Sequence, residues 1–179
     1  MSYEKFAFVD ESECRGRYVM CCVVIEPNRV REMRSVARGL LLPCQRRLHF
    51  HTESDRRQRQ LASALVAVDA DVSVFICRSA QGQSEADARA ACLAAIVAYL
   101  QQLQAAVKLV IESRHEQDTA DHPVIWSART REPVLDYEHQ TADAEPLLWL
   151  PDSFAWLVGA GGDWRRRVDQ IVDRVVDLP

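Results

Sequence analysis

The chain has 179 residues, of which 27% are charged, and a net charge of −4 at pH 7. This length predicts a single domain, residues 1–179, that buries a core without disulfide bonds, and the negative charge excludes a protein that coats nucleic acid through overall positive charge. No signal peptide opens the sequence and no apolar run approaches the roughly 20 residues that span a bilayer, so we expect a cytoplasmic protein without membrane contact.

The first predicted elements form a β-hairpin. Lys5 to Val9, which is apolar from Phe6 onwards, predicts a buried strand, and residues 17–25 predict a second strand that pairs with it in antiparallel fashion. Asp10 follows the first strand directly. A carboxylate held there needs a hydrogen-bond donor or a cation, so Asp10 is a candidate metal ligand. The alternative is that Asp10 and Ser12 begin the turn by bonding to their own backbone.

The middle of the chain alternates helices with strands. Pro27 opens a helix that Pro43 ends. The segments that follow are predicted as a short strand over 48–51, a helix over 53–68 with Thr52 as its N-cap, a strand over 71–78, a helix over 85–104 capped by Ser84, and a strand over 107–111 that ends in Glu112.

In the last third of the chain, the pattern predicts several elements but leaves one segment open between a helix and a loop. Residues 113–132 form either a helix with one apolar face or a long loop, and residues 134–139 alternate like an edge strand. A helix begins at Pro151 and Asp152, and residues 164–176 predict an amphipathic helix. This order implies an α/β domain with a mixed sheet that starts with an antiparallel hairpin and carries helices on both faces. The edge strand is either covered or a homodimer contact.

Three carboxylates occupy positions where α/β sheets place ligands. Asp10 and Glu112 each follow a buried strand, and Asp152 opens a late helix. If the two strands are neighbours, the like charges require a cation or a proton between them. Ligation by oxygen alone favours Mg²⁺ or Mn²⁺, and two such ions activate water for hydrolysis of a phosphodiester.

Four segments in order carry a resemblance to a known family. They are Phe-Val-Asp-Glu-Ser at 8–12, Leu-His-Phe at 48–50, Val-Ile-Glu-Ser at 110–113 and Leu-Pro-Asp-Ser-Phe-Ala-Trp at 150–156. The chain resembles an uncharacterised bacterial family, a domain of unknown function with a ribonuclease H-like fold. The resemblance implies a two-metal nuclease site in which Asp10 is the first-strand acid, Glu112 the later-strand acid and Asp152 the acid of the terminal helix.

The chain departs from the pattern of that family at three points. Glu13 stands where the family usually has Gly, and Glu112 stands where it commonly has Asp. A fourth acid, which the resemblance implies on a helix between the two strands, is not evident. Glu53 is the first candidate for that role and Asp118 is a weaker substitute.

Histidines and arginines near these segments are further candidates. His49, His51 and His115 could act as a base or move a proton, although a packed or solvated role is the commoner explanation for such histidines. The arginines are concentrated in short clusters, and a high-GC genome accounts for the general excess of Arg over Lys. Arg56, Arg57 and Arg114 are candidates for contact with substrate phosphate, against the alternative of a solvated surface.

The sequence leaves three hypotheses of function. The first is a metal-dependent nuclease or phosphodiesterase in which Asp10, Glu112 and Asp152 hold Mg²⁺ or Mn²⁺ and water attacks RNA or DNA. The second is a binding or regulatory protein that has kept the fold and lost the chemistry. The third is an enzyme that acts on a small phosphorylated metabolite in a closed pocket. Because one fold hosts many functions, the geometry of the site must decide among them.

Overall fold

The computed structural model describes residues 2–78 and 84–179. The strands in these ranges are β1 (Lys5–Cys14), β2 (Arg17–Ile25), β3 (Asp71–Arg78), β4 (Val107–Glu112), β5 (Leu135–Gln140) and β6 (Val172–Leu178). The helices are α1 (Val30–Gly39), α2 (Asp55–Leu65), α3 (Glu85–Gln102), α4 (Asp118–Ala128), α5 (Trp149–Ala160) and α6 (Gly162–Arg166). Short 3₁₀ turns at Phe50–Thr52 and Pro146–Leu148 precede α2 and α5.

The described strands form one mixed sheet in the order β5-β4-β1-β2-β3-β6. β1, β2 and β3 pair in antiparallel fashion, whereas β4 lies parallel to β1, β5 parallel to β4, and β6 parallel to β3. The carboxyl ends of β1, β4 and β5 therefore meet at one edge of the sheet, which is where open α/β sheets place ligands. The predicted mixed sheet with an opening hairpin is confirmed.

Side chains on the two faces of the sheet pack into two separate cores. Phe8 and Val110 belong to a core that α1, α2 and α5 cover, whereas Val9 and Ile111 belong to a second core that α3 and α4 cover. Successive residues of a strand point to opposite faces, so β2, which is buried along almost its whole length, is apolar on both sides and reads as a nearly continuous hydrophobic run. The prediction of helices on both faces is confirmed.

Local sequence explains two of the predicted boundaries. The hairpin turns at Arg15 and Gly16, whose φ values are 53° and 69°, and glycine adopts this left-handed conformation without steric cost. Helix α3 begins with a capping box, in which the Ser84 hydroxyl accepts from the Asp87 amide and the Asp87 carboxylate accepts from the Ser84 amide. The N-cap that was predicted at Ser84 is confirmed.

Other predicted boundaries are wrong. The predicted amphipathic helix over 164–176 is a short helix, α6, followed by strand β6, because β-branched residues suit a strand and the parallel pairing with β3 outweighs the helical spacing. The predicted strand at 48–51 is a 3₁₀ turn, and α2 is capped by Ser54 and not by Thr52. The segment 113–132, for which a helix and a loop were both open, contains helix α4.

None of the helices in the described ranges combines the length and the apolar character that crossing a membrane requires.

Candidate functional site

Asp10 and Glu112 lie side by side on one face of the sheet. The parallel register pairs Val9 with Ile111, so the next residue of each strand lies at the same level. Both carboxylates extend the face that carries Phe8 and Val110. The Glu112 carboxyl is within hydrogen-bonding range of the Asp10 carboxyl. The predicted proximity of these two acids is therefore observed.

Helix α5 brings the third carboxylate to the same place. This helix packs across β1 and β2, and Asp152 lies in its first turn. Asp152 is 8% exposed, and its Oδ2 accepts a hydrogen bond of 3.0 Å from the backbone amide of Phe50. Its charge also acts on Asp10. Asp10, Glu112 and Asp152, defined here as the acid cluster, thus come from three elements that are remote in the sequence.

Electrostatics in the acid cluster favour a bound proton or cation. Burial raises the pKa of Asp10 well above its ordinary value, because Asp10 is only 3% exposed. The neighbouring carboxylates raise the pKa of Asp10 further. The adjacent amide of Glu11 donates a hydrogen bond to Asp10 Oδ1 at 2.7 Å, and a single amide does not neutralise a carboxylate.

His49 is the nearest of the three predicted histidines. Its Nδ1 lies 3.6 Å from Asp152 Oδ2, and this interaction raises the pKa of His49. The His49 side chain is 48% exposed, so it joins the buried carboxylate to solvent. His51 packs edge-on against His49 with ring centroids 6.4 Å apart, and His115 is exposed in the loop after β4.

The donor set of the acid cluster fits a divalent cation. Carboxylate oxygens are the ligands that Mg²⁺ and Mn²⁺ prefer. A cation among these oxygens would remove the repulsion that raises the pKa of Asp10. Asp10, Glu112 and Asp152 are therefore candidate ligands for such an ion.

The remaining predicted site residues contact groups outside the acid cluster. Glu53 accepts a hydrogen bond of 2.6 Å from Gln45 Nε2, and in residues 2–78 and 84–179 no hydrogen bond or ion pair joins it to the acid cluster. The Arg57 guanidinium donates to the carbonyl of Leu40, and Arg56 is exposed on α2. Arg114 Nε lies 2.5 Å from Glu11 Oε1.

A buried charge network lies on the opposite face of β1 and was not foreseen. Glu11 follows Asp10 in the strand and faces the core under α3, where Arg89 Nη1 donates to its Oε1 at 2.7 Å. Arg89 also forms a bidentate pair with Asp121, at 2.9 and 2.7 Å. The sequence contains one signal of this network. Arg89 lies three, four and seven residues before Cys92, Leu93 and Ile96, so a charged residue falls within the apolar stripe of α3.

A second group of potential ligands adjoins this network. Oxygen or nitrogen atoms of Asp118, Asp121 and His139 lie within 4.8 Å of one another. Burial alone would raise the pKa of Asp121, but hydrogen bonds from His139 and Arg89 lower it. Asp118 accepts from the Ser113 hydroxyl at 2.6 Å and from the Arg114 amide at 2.8 Å. These oxygens are already engaged, so the group suits a charge network better than a cation.

Comparison with solved structures identifies the fold. The crystal structure of the ribonuclease H2 from Pyrococcus horikoshii OT3 matches with a TM-score of 0.59 and 16% identity, over 93% of this chain and 74% of that chain. The chain has a ribonuclease H-like fold. A mutant of Bst-RNase HIII matches with a TM-score of 0.53 and 11% identity, over 87% of this chain and 52% of that chain. The chain thus spans about half the length of the second structure.

Matches at the level of sequence are missing. No protein-family model matches the chain, and no curated protein matches it either. The similarity therefore concerns the ribonuclease H-like fold, and function has to be argued from the residues of the site.

Proposed function

We propose that this chain is a metal-dependent nuclease that hydrolyses phosphodiester bonds of nucleic acid. The observation that carries the proposal is the convergence of Asp10, Glu112 and Asp152 at the carboxyl edge of a ribonuclease H-like sheet. Buried acids that repel one another lower stability, and such arrangements are concentrated at functional sites. Mg²⁺ or Mn²⁺ is the cofactor that such oxygen ligands favour.

Each acid has a distinct task in this proposal. Asp10 and Glu112 are ligands on the rigid sheet, and Asp152 closes the site from α5. A bound divalent ion would supply an activated water and stabilise the charge on the leaving oxygen. The backbone amide of Phe50 orients Asp152, and His49 holds a proton beside it that can pass to solvent.

The other predicted residues remain proposals with weaker support. Arg114, next to Glu11, is the phosphate contact that the geometry favours most. Exposed Arg56 could reach a more distant phosphate, whereas Arg57 is engaged with the Leu40 carbonyl. His51 and His115 would act only as alternative bases. Glu53 would be a fourth acid only after leaving Gln45.

Substrate, family and cellular setting belong to the same proposal. The ribonuclease H2 neighbour favours a substrate that contains RNA, and the resemblance of the sequence favours the uncharacterised bacterial family. Free cysteines such as Cys14 and Cys44 suit the reducing cytoplasm. Strand β5 lies at one edge of the sheet that the described residues form, and an edge strand is a place where a second copy of the chain could pair to give a homodimer.

A second candidate function is a ribonuclease H-like binding protein that has lost catalysis. The observation in its favour is that Glu53, the candidate fourth acid, contacts Gln45. This alternative predicts nucleic-acid or protein binding that does not depend on metal.

A cleavage assay tests the proposal. Labelled single-stranded RNA, single-stranded DNA, duplex DNA and an RNA–DNA hybrid are incubated with the protein and Mg²⁺, Mn²⁺ or EDTA. We expect metal-dependent cleavage of at least one RNA-containing substrate, and a loss of about 100-fold or more in the Asp10→Asn and Asp152→Asn variants. Exposed Glu116→Gln, at the loop after β4, is the matched control. Cleavage that persists in EDTA or in Asp10→Asn would contradict the proposal.

A further inference from the structure

Two arginine-rich segments lie on the same side of the sheet as the acid cluster. Residues 55–59 begin α2, and residues 163–169 include most of α6 and the turn that follows it. Together these segments hold six arginines and three aspartates, whereas the whole chain has a net charge of −4. Leu61 of α2 lies in the core that contains Phe8, and Trp164 of α6 packs against that core. A positive region of the surface therefore adjoins the face of the sheet that carries the acid cluster.

Trp164 brings one arginine of each segment together. The guanidinium carbon of Arg59 lies 5.3 Å from the centroid of the Trp164 ring, and that of Arg167 lies 5.8 Å from it. At both distances the face of an indole attracts a guanidinium. The two guanidinium carbons are therefore at most about 11 Å apart, which corresponds to about three nucleotides of a duplex strand at 3.4 Å each. We call Arg59, Trp164 and Arg167 the Arg–Trp surface.

Both arginines of the Arg–Trp surface are paired with an aspartate of their own segment. Arg59 Nη2 lies 2.8 Å from Asp55 Oδ2, and Arg167 Nε lies 2.9 Å from Asp163 Oδ2. The Asp55 and Asp163 side chains are 68% and 56% exposed, so water screens these pairs and they contribute little to stability. Because arginine binds phosphate in bidentate geometry, a phosphate can replace either carboxylate at small cost.

A row of contacts leads from the acid cluster to the Arg–Trp surface. The Phe50 amide donates to Asp152 Oδ2 at 3.0 Å, and the Phe50 ring lies 5.2 Å from the ring of Trp156. The ring of Trp156 lies 5.4 Å from that of Trp164. Trp164 is therefore within about 20 Å of Asp152, or about six nucleotides of a duplex strand at 3.4 Å each. A nucleic acid whose scissile phosphate lies at the acid cluster can reach this surface.

We propose that the Arg–Trp surface binds the phosphate backbone of the nucleic-acid substrate a few nucleotides from the scissile bond. This inference rests on the proposed function, because it assigns a second contact to the same substrate. Arg59 and Arg167 bind phosphates of one strand, and Trp164 holds both guanidiniums near its ring. Such contacts go to the backbone and not to base edges, so the surface raises affinity for any sequence.

Variants of the Arg–Trp surface test the inference. Fluorescence anisotropy in EDTA, at several salt concentrations, gives the Kd of a labelled RNA–DNA hybrid of about 20 base pairs, which at 3.4 Å each spans both sites. Cleavage in Mn²⁺ gives KM and kcat for the same hybrid, and calorimetric titration gives the Kd of Mn²⁺ alone. The variants are Arg59→Ala, Arg167→Ala, Trp164→Leu and Asp55→Asn. Exposed Arg131→Ala, in the loop between α4 and β5, is the matched control for loss of a positive charge.

The expected pattern differs among the variants. Arg59→Ala and Arg167→Ala each weaken hybrid binding about 10-fold and lower the magnitude of the salt slope by about one, because one phosphate contact is lost. KM rises by a similar factor and kcat changes little, since the contact is equal in the ground state and the transition state. Trp164→Leu weakens binding without changing the salt slope, because both charges remain. Asp55→Asn tightens binding, because its carboxylate no longer competes with phosphate for Arg59.

Several outcomes would overturn the inference. One is a wild-type Kd and KM in both Arg59→Ala and Arg167→Ala, and another is an equally large defect in Arg131→Ala. Weaker hybrid binding by Asp55→Asn would also overturn it, because the carboxylate would then support the contact and not compete with it. If Trp164→Leu does not fold, the two arginine variants decide, since their side chains are 50% and 32% exposed.

The same data separate this inference from the proposed function. Cleavage that both arginine variants perform with wild-type KM would refute the inference alone. Hybrid binding that depends on Arg59 and Arg167, without cleavage in Mn²⁺ or Mg²⁺, would refute the proposed function while the binding surface stands. An absence of hybrid binding and of Mn²⁺ binding in the wild type would refute both. The Kd of Mn²⁺ should stay within about twofold of wild type in both arginine variants, because neither residue adjoins the acid cluster.

Discussion

Replacement of Asp10 by Asn should stabilise the metal-free protein at neutral pH. Asp10 is 3% exposed and is surrounded by acids, with Glu11 adjoining it in β1 and Glu112 and Asp152 facing it. Without a cation, the folded state must either keep this charge buried or bind a proton. Asn removes the charge, and its amide oxygen can still accept from the Glu11 amide.

The magnitude follows from proton linkage. Because the pKa of Asp10 is raised in the folded state, the folded protein binds this proton more tightly than the unfolded chain does. The free energy of unfolding therefore falls as the pH rises from the unfolded pKa through the folded pKa, and the penalty is complete above both. Each unit of the shift is worth about 1.4 kcal/mol, or about 3–5 °C in Tm for a chain of this length. Asp10→Asn relieves this penalty.

Thermal melts at pH 7.5 in EDTA and in Mn²⁺ provide the assay. In EDTA we expect Asp10→Asn to melt at least about 3 °C above wild type. In Mn²⁺ we expect wild type to gain stability and the variant to gain little. Asp118→Asn is the matched control. Burial alone would raise the pKa of Asp118, but hydrogen bonds from Ser113 and Arg114 lower it. Loss of the Asp118 charge should therefore destabilise the protein. A lower Tm of Asp10→Asn in EDTA, with an undiminished response to Mn²⁺, would refute the reasoning.

Three further predictions follow from the same contacts. Arg89→Met removes the buried cation that Glu11 and Asp121 share and leaves them only Arg114 and His139 as partners. We expect a loss of about 3–5 kcal/mol and a fall in Tm of at least about 6 °C, and a change under about 2 °C would contradict this. Mn²⁺ affinity, measured by calorimetry at pH 6, 7 and 8, should weaken as the pH falls, because the raised pKa of Asp10 lets protons compete with Mn²⁺ for its carboxylate. An affinity that does not depend on pH would count against Asp10 as a ligand. Gly159→Ala would put a Cβ atom 2.9 Å from Cys14 Cβ, and we expect chemical denaturation to show a loss of about 1–3 kcal/mol. The control is Gly39→Ala, whose Cβ would meet nothing within 4 Å and should cause no such loss. Equal stabilities of the two variants would argue against the close approach of α5 to β1.

Sequence patterns predict the parts of this fold that local chemistry determines. Phe8 and Val9 mark a buried strand because both faces of the sheet are covered, and Ser84 marks the start of α3 because its side chain caps a helix whatever lies around it. Local chemistry does not determine the structure of the segment after α6. Val172, Val175 and Val176 fit helical spacing as well as a strand, and only the pairing with β3 decides between the two.

The candidate site also contains one feature that the sequence predicts and one that it does not. The proximity of Asp10 and Glu112 could be predicted from acids at two strand ends, on the assumption that the strands are neighbours, and the register provides it. The role of Glu11 could not be predicted, because its partner Arg89 lies 78 residues away on a helix with no other charged residue in its buried stripe. Contacts between remote charges depend on tertiary packing that periodicity does not encode.

Calorimetric titration of Mn²⁺ into the metal-free protein tests the central claim most directly. Wild type is compared with Asp10→Asn, Glu112→Gln and Asp152→Asn, and with Asp118→Asn as a variant in the neighbouring group of potential ligands. We predict that each of the first three variants weakens Mn²⁺ binding by at least about 10-fold and that Asp118→Asn does not. Unchanged binding in the three variants, with loss in Asp118→Asn, would move the metal to the face of Asp118, Asp121 and His139 and would contradict the account.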